Sequence, residues 1–227
     1  PNLRILLTPS TGANHVDLDA CARRGIKVLS LLDDREGLQT ISASAEFTFK
    51  LLLDALRKPP ARELQGKTVG IVGYGRNGGR VKNWCDEFDA YCCWYDPHQL
   101  GRSTPLEALF SESDAVVLTC TLNPETRGMI TADLLRSMKP SAALVNTSRG
   151  EVIDEAALYQ VLAERPDIRF ATDVVHGDVE GRGDEARAKL RALGAIVHPH
   201  IAGATFDSRT KAARIILQLL KKELGAE

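Results

Sequence analysis

The chain has 227 residues and a formal net charge of -1, enough for one large domain or two lobes, and 44% of its residues are hydrophobic. Acids and bases are mixed along it, which leaves no basic stripe for nucleic acid and no polybasic arm for a membrane. No apolar run approaches a membrane span, and no signal-peptide pattern opens the chain, so a cytoplasmic protein is expected.

Leu3-Arg4-Ile5-Leu6-Leu7 reads as a buried strand and Ser10-Thr11-Gly12 as part of a turn. Helical spacing follows from Val16 to Arg24, with Gly25 as its stop, and Ile26 to Leu29 forms the next strand. Opening directly on a β-α-β unit suggests a lobe without its beginning. From Ile41 to Lys58 one long helix is expected, with Ala45, Phe49, Leu52, Leu53 and Leu56 on one face and Pro59-Pro60 ending it. The expected division is a partial lobe over 1–40, a dinucleotide domain over 41–200 and a returning helix over 201–227.

Lys67 to Pro97 organises the rest. The strand Thr68-Val69-Gly70-Ile71-Val72 feeds Gly73-Tyr74-Gly75-Arg76-Asn77-Gly78, a helix follows, and Tyr91 to Tyr95 ends at Asp96. Glycines there serve a tight turn, close approach to a pyrophosphate and close helix packing. The helix N-terminus offers free N–H groups to phosphate, and Asp96 can accept hydrogen bonds from ribose hydroxyls. With no arginine beside Asp96, NAD is expected over NADP, because a 2′-phosphate would face a carboxylate. Asn77 occupies a place that usually faces the sheet, so it must turn outward or find a polar partner.

Four further strands are expected at 115–118, 142–145, 168–171 and 195–197, with helices starting at Thr131, Asp154 and Asp184. Apolar strands alternating with helices predict a doubly wound α/β fold with a parallel sheet. Ligands bind such sheets beyond the strand carboxyl ends, where Asn146 to Gly150, Asp173 to Asp178 and His198 to Gly203 arrive. An arginine to grip a carboxylate, an imidazole to move a proton and an acid to orient it would suit hydride transfer to a 2-oxoacid. Each residue alone has an ordinary structural explanation; their joint order favours catalysis. The five cysteines show no CxxC spacing, which argues against a metal site or disulfides, and His15, His98, His176 and His198 read as structural.

At these residues the chain resembles the D-isomer-specific 2-hydroxyacid dehydrogenases. The resemblance rests on the glycine turn with Asp96, Leu122 to Gly128, Val145 to Gly150 with Asp154-Glu155, and Pro199 to Thr205, together with Ser10-Thr11-Gly12 and Ala45-Glu46. It implies a Rossmann-type doubly wound sheet beside an incomplete flavodoxin-like α/β substrate lobe, NAD as cofactor, and a small 2-oxoacid or 2-hydroxyacid as substrate. Arg149 would bind the substrate carboxylate and His200 would exchange the proton. Gly73, Gly75, Arg76, Asn77 and Gly78 would serve the pyrophosphate and Asp96 the adenosine ribose. Cys120, Thr147 and Ser148 would line the dinucleotide's neighbourhood, joined by Arg149, His200 and Gly203, and Asp173 would meet the nicotinamide carboxamide. Ser10, Thr11 and Gly12 would offer backbone N–H groups to substrate.

The chain departs from the family's pattern in three places. Asp178-Val179 stands where Glu, often followed by Pro, is usual; only Pro59 to Gly66 remains of an arm that wraps a partner subunit, which would weaken a homodimer; and the first half of the substrate lobe is missing before Pro1. Asp178 therefore either still pairs with His200 or leaves it unpaired, with Glu180 as a substitute partner. The alternative to an enzyme is an NAD-binding, corepressor-like regulator with little turnover.

Overall fold

A computed structural model describes residues 2–13, 15–99, 103–178 and 181–225. The chain forms two compact units, Pro1–Ala43 with Gly203–Glu227 and Ser44–Ala202.

The first unit carries β1 (Ile5–Thr8), α1 (Leu18–Arg23) and β2 (Lys27–Ser30), the two strands pairing in parallel. Asp17 caps α1, its side chain accepting from the Ala20 N–H at 2.8 Å. A 3-10 turn over Leu31–Asp33 and the short α2 (Arg35–Leu38) follow. Leu31, Leu38 and Ile41 form a small core with Ala212, Ile215 and Ile216 of the C-terminal helix Phe206–Leu224, which is α9 once the intervening elements are counted.

The second unit begins within α3 (Ala43–Arg57) and continues through β3 (Thr68–Val72), α4 (Arg76–Glu87), β4 (Tyr91–Tyr95), α5 (Leu106–Glu112), β5 (Ala115–Leu118), α6 (Ala132–Ser137), β6 (Ala143–Asn146), α7 (Glu155–Glu164), β7 (Arg169–Thr172), α8 (Gly183–Ala192) and β8 (Ile196–Val197). Its six strands are all parallel, in the order β4-β3-β5-β6-β7-β8. The order reverses between β3 and β5, which is where such a sheet opens a crevice. Both faces are covered. Leu51, Leu52, Ala55 and Leu56 of α3 pack with Val69, Ile71 and Val117 on one face, and Val116, Leu118 and Leu144 pack with α5, α6 and α7 on the other. Burying each such side chain stabilises by about 1.5–3 kcal/mol before entropy is counted.

Helix starts follow the expected chemistry unevenly. Asp154 caps α7 through Ala157 N–H at 3.0 Å, whereas Thr131 sits at the N-cap of α6 without a side-chain bond, and α8 starts at Gly183 with Asp184 in its first turn. The sequence reading passed over α5, whose N-cap is Pro105 and which offers no capping side chain to announce it.

The C-terminus of α3 is held from the sheet. Arg169, on β7 and only 3% exposed, donates from Nη1 to Leu56 O at 3.0 Å and from Nη2 to Pro60 O. Leu56 O, in the last turn of the helix, also accepts from the Arg62 N–H at 2.8 Å, so Arg169 ties both the helix end and the Pro60 carbonyl just beyond it to the sheet. Arg169→Met should therefore lower stability by about 1.5–3 kcal/mol, since charged hydrogen bonds are lost and the Pro60 carbonyl loses its partner, while Leu56 O keeps the Arg62 N–H. The check is a lower urea midpoint at unchanged m-value; an unmoved midpoint would show that solvent reaches these carbonyls.

Candidate functional site

At the reversal between β3 and β5 lies a pocket of about 270 Å³, lined among others by Gly73, Gly75, Asp96, Thr119, Cys120 and Asn123. Gly73 has φ +93, and a Cβ there would sit 2.5 Å from the Cys120 backbone. A Cβ at Gly78 would sit 2.3 Å from Gly73 O, so α4 can start this close to the turn only on glycine. Thr119 Oγ1 donates to Gly73 O at 2.8 Å and braces the turn from β5, a role that sequence reading missed. Gly75 is the N-cap of α4 and supplies no side-chain cap, leaving first-turn N–H groups to another acceptor.

Asp96 closes the far side of the turn. One carboxylate oxygen accepts from the Tyr74 N–H at 2.9 Å and the other from the His98 N–H at 3.0 Å, while the Tyr74 ring stacks on Trp94 at 4.5 Å. Each oxygen keeps a second lone pair for a ribose hydroxyl. Arg76 lies in the first turn of α4, where burial and the charge of Arg80 lower its pKa. Asn77 neither turns out nor finds a partner: its Oδ1 is buried without a hydrogen bond among the described residues. Since amide orientation is set by whatever it bonds, that place can present NH2 to a phosphate. An uncapped helix start, a side-chain-free approach and an orphaned amide together fit a dinucleotide's pyrophosphate.

Burial pushes the Cys120 thiol up to about 11, so it lines the pocket as a neutral group. Thr147 Oγ1 lies 2.6 Å from Thr48 Oγ1, whose proton goes to Ser44 O, so Thr147 donates to Thr48. Ser148 Oγ is buried with no partner among the described residues.

The residues expected to carry the chemistry follow the ends of β6, β7 and β8. Arg149 follows β6, with Nη1 on Ser148 O at 2.7 Å. The Asn146 side chain holds that loop, accepting from Ser148 N–H and donating to Arg149 O, both at 3.0 Å. Gly150 allows the loop to lie against β7's exit, for a Cβ there would be 2.1 Å from the Val175 carbonyl carbon. Asp173 is fully buried, with its oxygens on the Ile201 and Ala202 N–H groups at 2.8 and 2.7 Å. Burial pushes its carboxyl up against the pull of those N–H groups.

His200 has φ +59, and its side chain is 40% exposed. Its Nδ1 lies 3.4 Å from Asp178 Oδ2, which also accepts from the Val175 N–H at 2.9 Å. The shorter acid therefore does reach the imidazole. Burial opposes ionisation of Asp178, but His200, the Val175 N–H and Arg187 together hold its carboxyl below the ordinary range. The other candidate partner, Glu180, lies outside the described residues, as does Val179. Sequence reading missed Arg187, whose Nη2 pairs with Asp178 Oδ1.

Among the residues expected to be structural, His198 packs edge-on against Phe47 at 5.0 Å and His15 Nε2 lies 3.1 Å from Thr8 Oγ1. Ser10, Thr11 and Gly12 form the turn after β1 in the first unit, where Ser10 Oγ donates to Gly12 O at 2.6 Å. Gly203 also belongs to that unit and accepts from Ser208 Oγ at the start of α9. Among the described residues no His, Cys, Asp and Glu cluster could hold a metal ion, and no helix is long and apolar enough to cross a membrane.

The sequence pattern of the D-isomer specific 2-hydroxyacid dehydrogenase NAD binding domain matches residues 40–202. A hydroxypyruvate reductase of Thermotoga maritima is 31% identical over 242 residues, covering 99% of this chain and 78% of that protein. A glyoxylate reductase of Korarchaeum cryptofilum is also 31% identical, covering 97% and 73%. Among solved structures, D-lactate dehydrogenase from Aquifex aeolicus, complexed with NAD and lactic acid, superposes with a TM-score of 0.84 at 27% identity, covering 99% of this chain and 77% of that one. The six-stranded sheet is of the Rossmann type seen in these relatives, and the activity is NAD-dependent hydride transfer between a 2-hydroxyacid and its 2-oxoacid. With its glycine turn, its Arg149 loop and its paired His200, this chain belongs to the D-isomer specific 2-hydroxyacid dehydrogenases.

Proposed function

We propose that Arg149, His200 and Asp178 carry the chemistry, and that the substrate is a small 2-oxoacid of the glyoxylate, hydroxypyruvate or pyruvate class. The observation that carries this reading is the His200–Asp178 pair at the sheet edge, beside the loop that presents Arg149. When bound, NAD(H) supplies or accepts the hydride at the substrate's C2. Arg149 has a planar fork that can hold a carboxylate through two parallel bonds, and its charge draws electron density toward the adjoining carbonyl oxygen. His200, with Nδ1 turned to Asp178, directs Nε2 to that oxygen; it donates a proton in reduction and takes it back in oxidation. Asp178 fixes the ring of His200 and faces it with a carboxylate while the proton is exchanged. Asp173 contributes by holding the His200 loop.

Relatives named for hydroxypyruvate, glyoxylate and lactate support a substrate with a short side chain. The short connection between α3 and β3 supports a weak homodimer, since little of it is left to bury against a partner, and the mixed surface charge suits the cytoplasm. Anaerobic addition of glyoxylate, hydroxypyruvate and pyruvate to the NADH-loaded protein tests the whole reading. Oxidation of NADH with at least one of them is expected; binding without turnover of any would favour the regulator.

Two variants separate cofactor from chemistry. A Cβ at Gly75 meets nothing within 4 Å and φ there is -88, so Gly75→Ala costs the fold little. The added methyl would occupy the approach of the pyrophosphate, and an NADH dissociation constant at least about 10-fold higher, at unchanged Tm, is expected. Unaltered affinity by fluorescence titration would place the pyrophosphate elsewhere. Arg149→Lys should leave NADH affinity nearly intact while turnover falls by roughly 10²-fold or more, the loss of one preorganised electrostatic contact. Equal losses in both would make Arg149 a scaffold residue.

A further inference from the structure

The Asp178 side chain is 6% exposed and lies between the His200 imidazole and the Arg187 guanidinium. Oδ2 faces His200 Nδ1 at 3.4 Å, and Oδ1 meets Arg187 Nη2 from α8, whose side chain is itself only 13% exposed. Among the described residues, the remaining charged contact of Arg187 is Asp184, 3.1 Å from Nη1, and with its side chain 99% exposed it is screened by solvent. Asp178 is therefore the principal partner of Arg187, and Arg187 faces away from solvent toward the dyad.

Space for this pair is made by the first residue of α8. A Cβ at Gly183 would lie 2.5 Å from Asp178 Oδ1, 2.8 Å from Arg187 Nη1 and 2.9 Å from Val175 Cγ2. A side chain there would have to push the ends of Asp178 and Arg187 aside, so the glycine leaves the pair room to meet. Asp is one methylene shorter than Glu and has fewer torsions with which to seek an imidazole, so an anchor on its outer oxygen matters more here than it would for the longer acid.

Resting on the dehydrogenase reading above, we propose that Arg187 is a positioning residue for His200: it pins Oδ1 of Asp178 so that Oδ2 stays in register with the imidazole. Removing one partner of a buried ion pair leaves the other charge uncompensated. Burial alone drives the Asp178 carboxyl up, and His200, the Val175 N–H and Arg187 reverse this. The sign follows. With its carboxyl held low, Asp178 stays ionised as pH falls until the depressed value is passed, and its hold on His200 is lost below it. Without the Arg187 charge, Asp178 takes up its proton at higher pH and the acid limb of the rate moves toward neutrality.

The test compares wild type, Arg187→Met, Arg187→Lys and Asp178→Asn in two ways: the pH dependence of 2-oxoacid reduction, and the titration of Asp178 by carbon NMR. Arg187→Met is expected to move both the Asp178 titration and the acid limb upward. Its turnover should fall roughly 10- to 100-fold, as for a reacting group displaced by up to about 1 Å, with NADH affinity within about 2-fold. Arg187→Lys should restore the limb but only part of the rate, because an ammonium keeps the charge without the fork. If Arg187→Met does not fold, Arg187→Gln removes the charge while keeping a donor and carries the same expectation. An unmoved Asp178 titration and acid limb in the neutral variant would overturn the proposal and leave Arg187 a structural ion pair. Absence of turnover in wild type would refute the dehydrogenase reading instead, and the NMR titration would still decide whether Arg187 controls Asp178.

Discussion

Asp173 is the constraint on which the active edge depends. It is fully buried at the end of β7, its backbone carbonyl accepts from His200 N–H at 2.9 Å, and its two carboxylate oxygens accept from the next two N–H groups. Three consecutive donors bound to one residue force the chain after Pro199 into a tight turn. That turn puts His200 in the left-handed region, which costs on the order of 1 kcal/mol for a side chain with a Cβ. The strain persists because releasing it would strand a buried carboxylate. The same residue ties in the Arg149 loop: Asp173 N–H donates to Asn146 O at 3.1 Å, and the Asn146 side chain holds Ser148 and Arg149. Arg149 and His200 are thus fixed to one hydrogen-bonded unit rather than to two independent loops.

Most of the sheet was legible because its strands are short runs rich in apolar residues bounded by turn residues, and burial of the inner strands on both faces removes any need for alternation. The glycine turn was legible as a turn. Its internal division was not: Gly73 and Gly78 are glycine because neighbouring backbone crowds them, whereas Gly75 faces open space. The same letter therefore hides two different constraints. Asn77 shows the limit of reasoning by position, since neither outcome expected for an amide there describes its buried, unpartnered oxygen.

Asp178 is the instructive case at the site. Its place relative to Asp173 could be counted along the chain, but whether the shorter acid reaches His200 depends on the path of the backbone and on what stands behind the carboxylate. Val175 N–H and Arg187 supply that backing, and Arg187 is nine residues further on, on a helix whose charged residues read as an ordinary solvated face. A contact between a loop and the buried side of such a helix leaves no periodic signal. Gly183, one residue before Asp184, is the trace it does leave, and a glycine opening a helix has several commoner explanations.

Two carboxylates thus attend one histidine, and their surroundings divide the work between them. Asp173 is bonded by neutral N–H donors and its carboxyl is raised, because burial outweighs what those dipoles and the nearby His200 and His198 return. The Asp178 side chain is nearly as enclosed but sits between His200 and the Arg187 guanidinium, and its carboxyl is lowered. In the proposed mechanism the acid that lends negative charge to the imidazole during proton transfer has to resist protonation, and of the two Asp178 is the one whose surroundings favour that. Asp173 needs geometry more than charge, since its bonds are to backbone groups whose positions it sets. The scaffold acid and the charge partner are therefore distinguished by whether the donors around them carry a full charge.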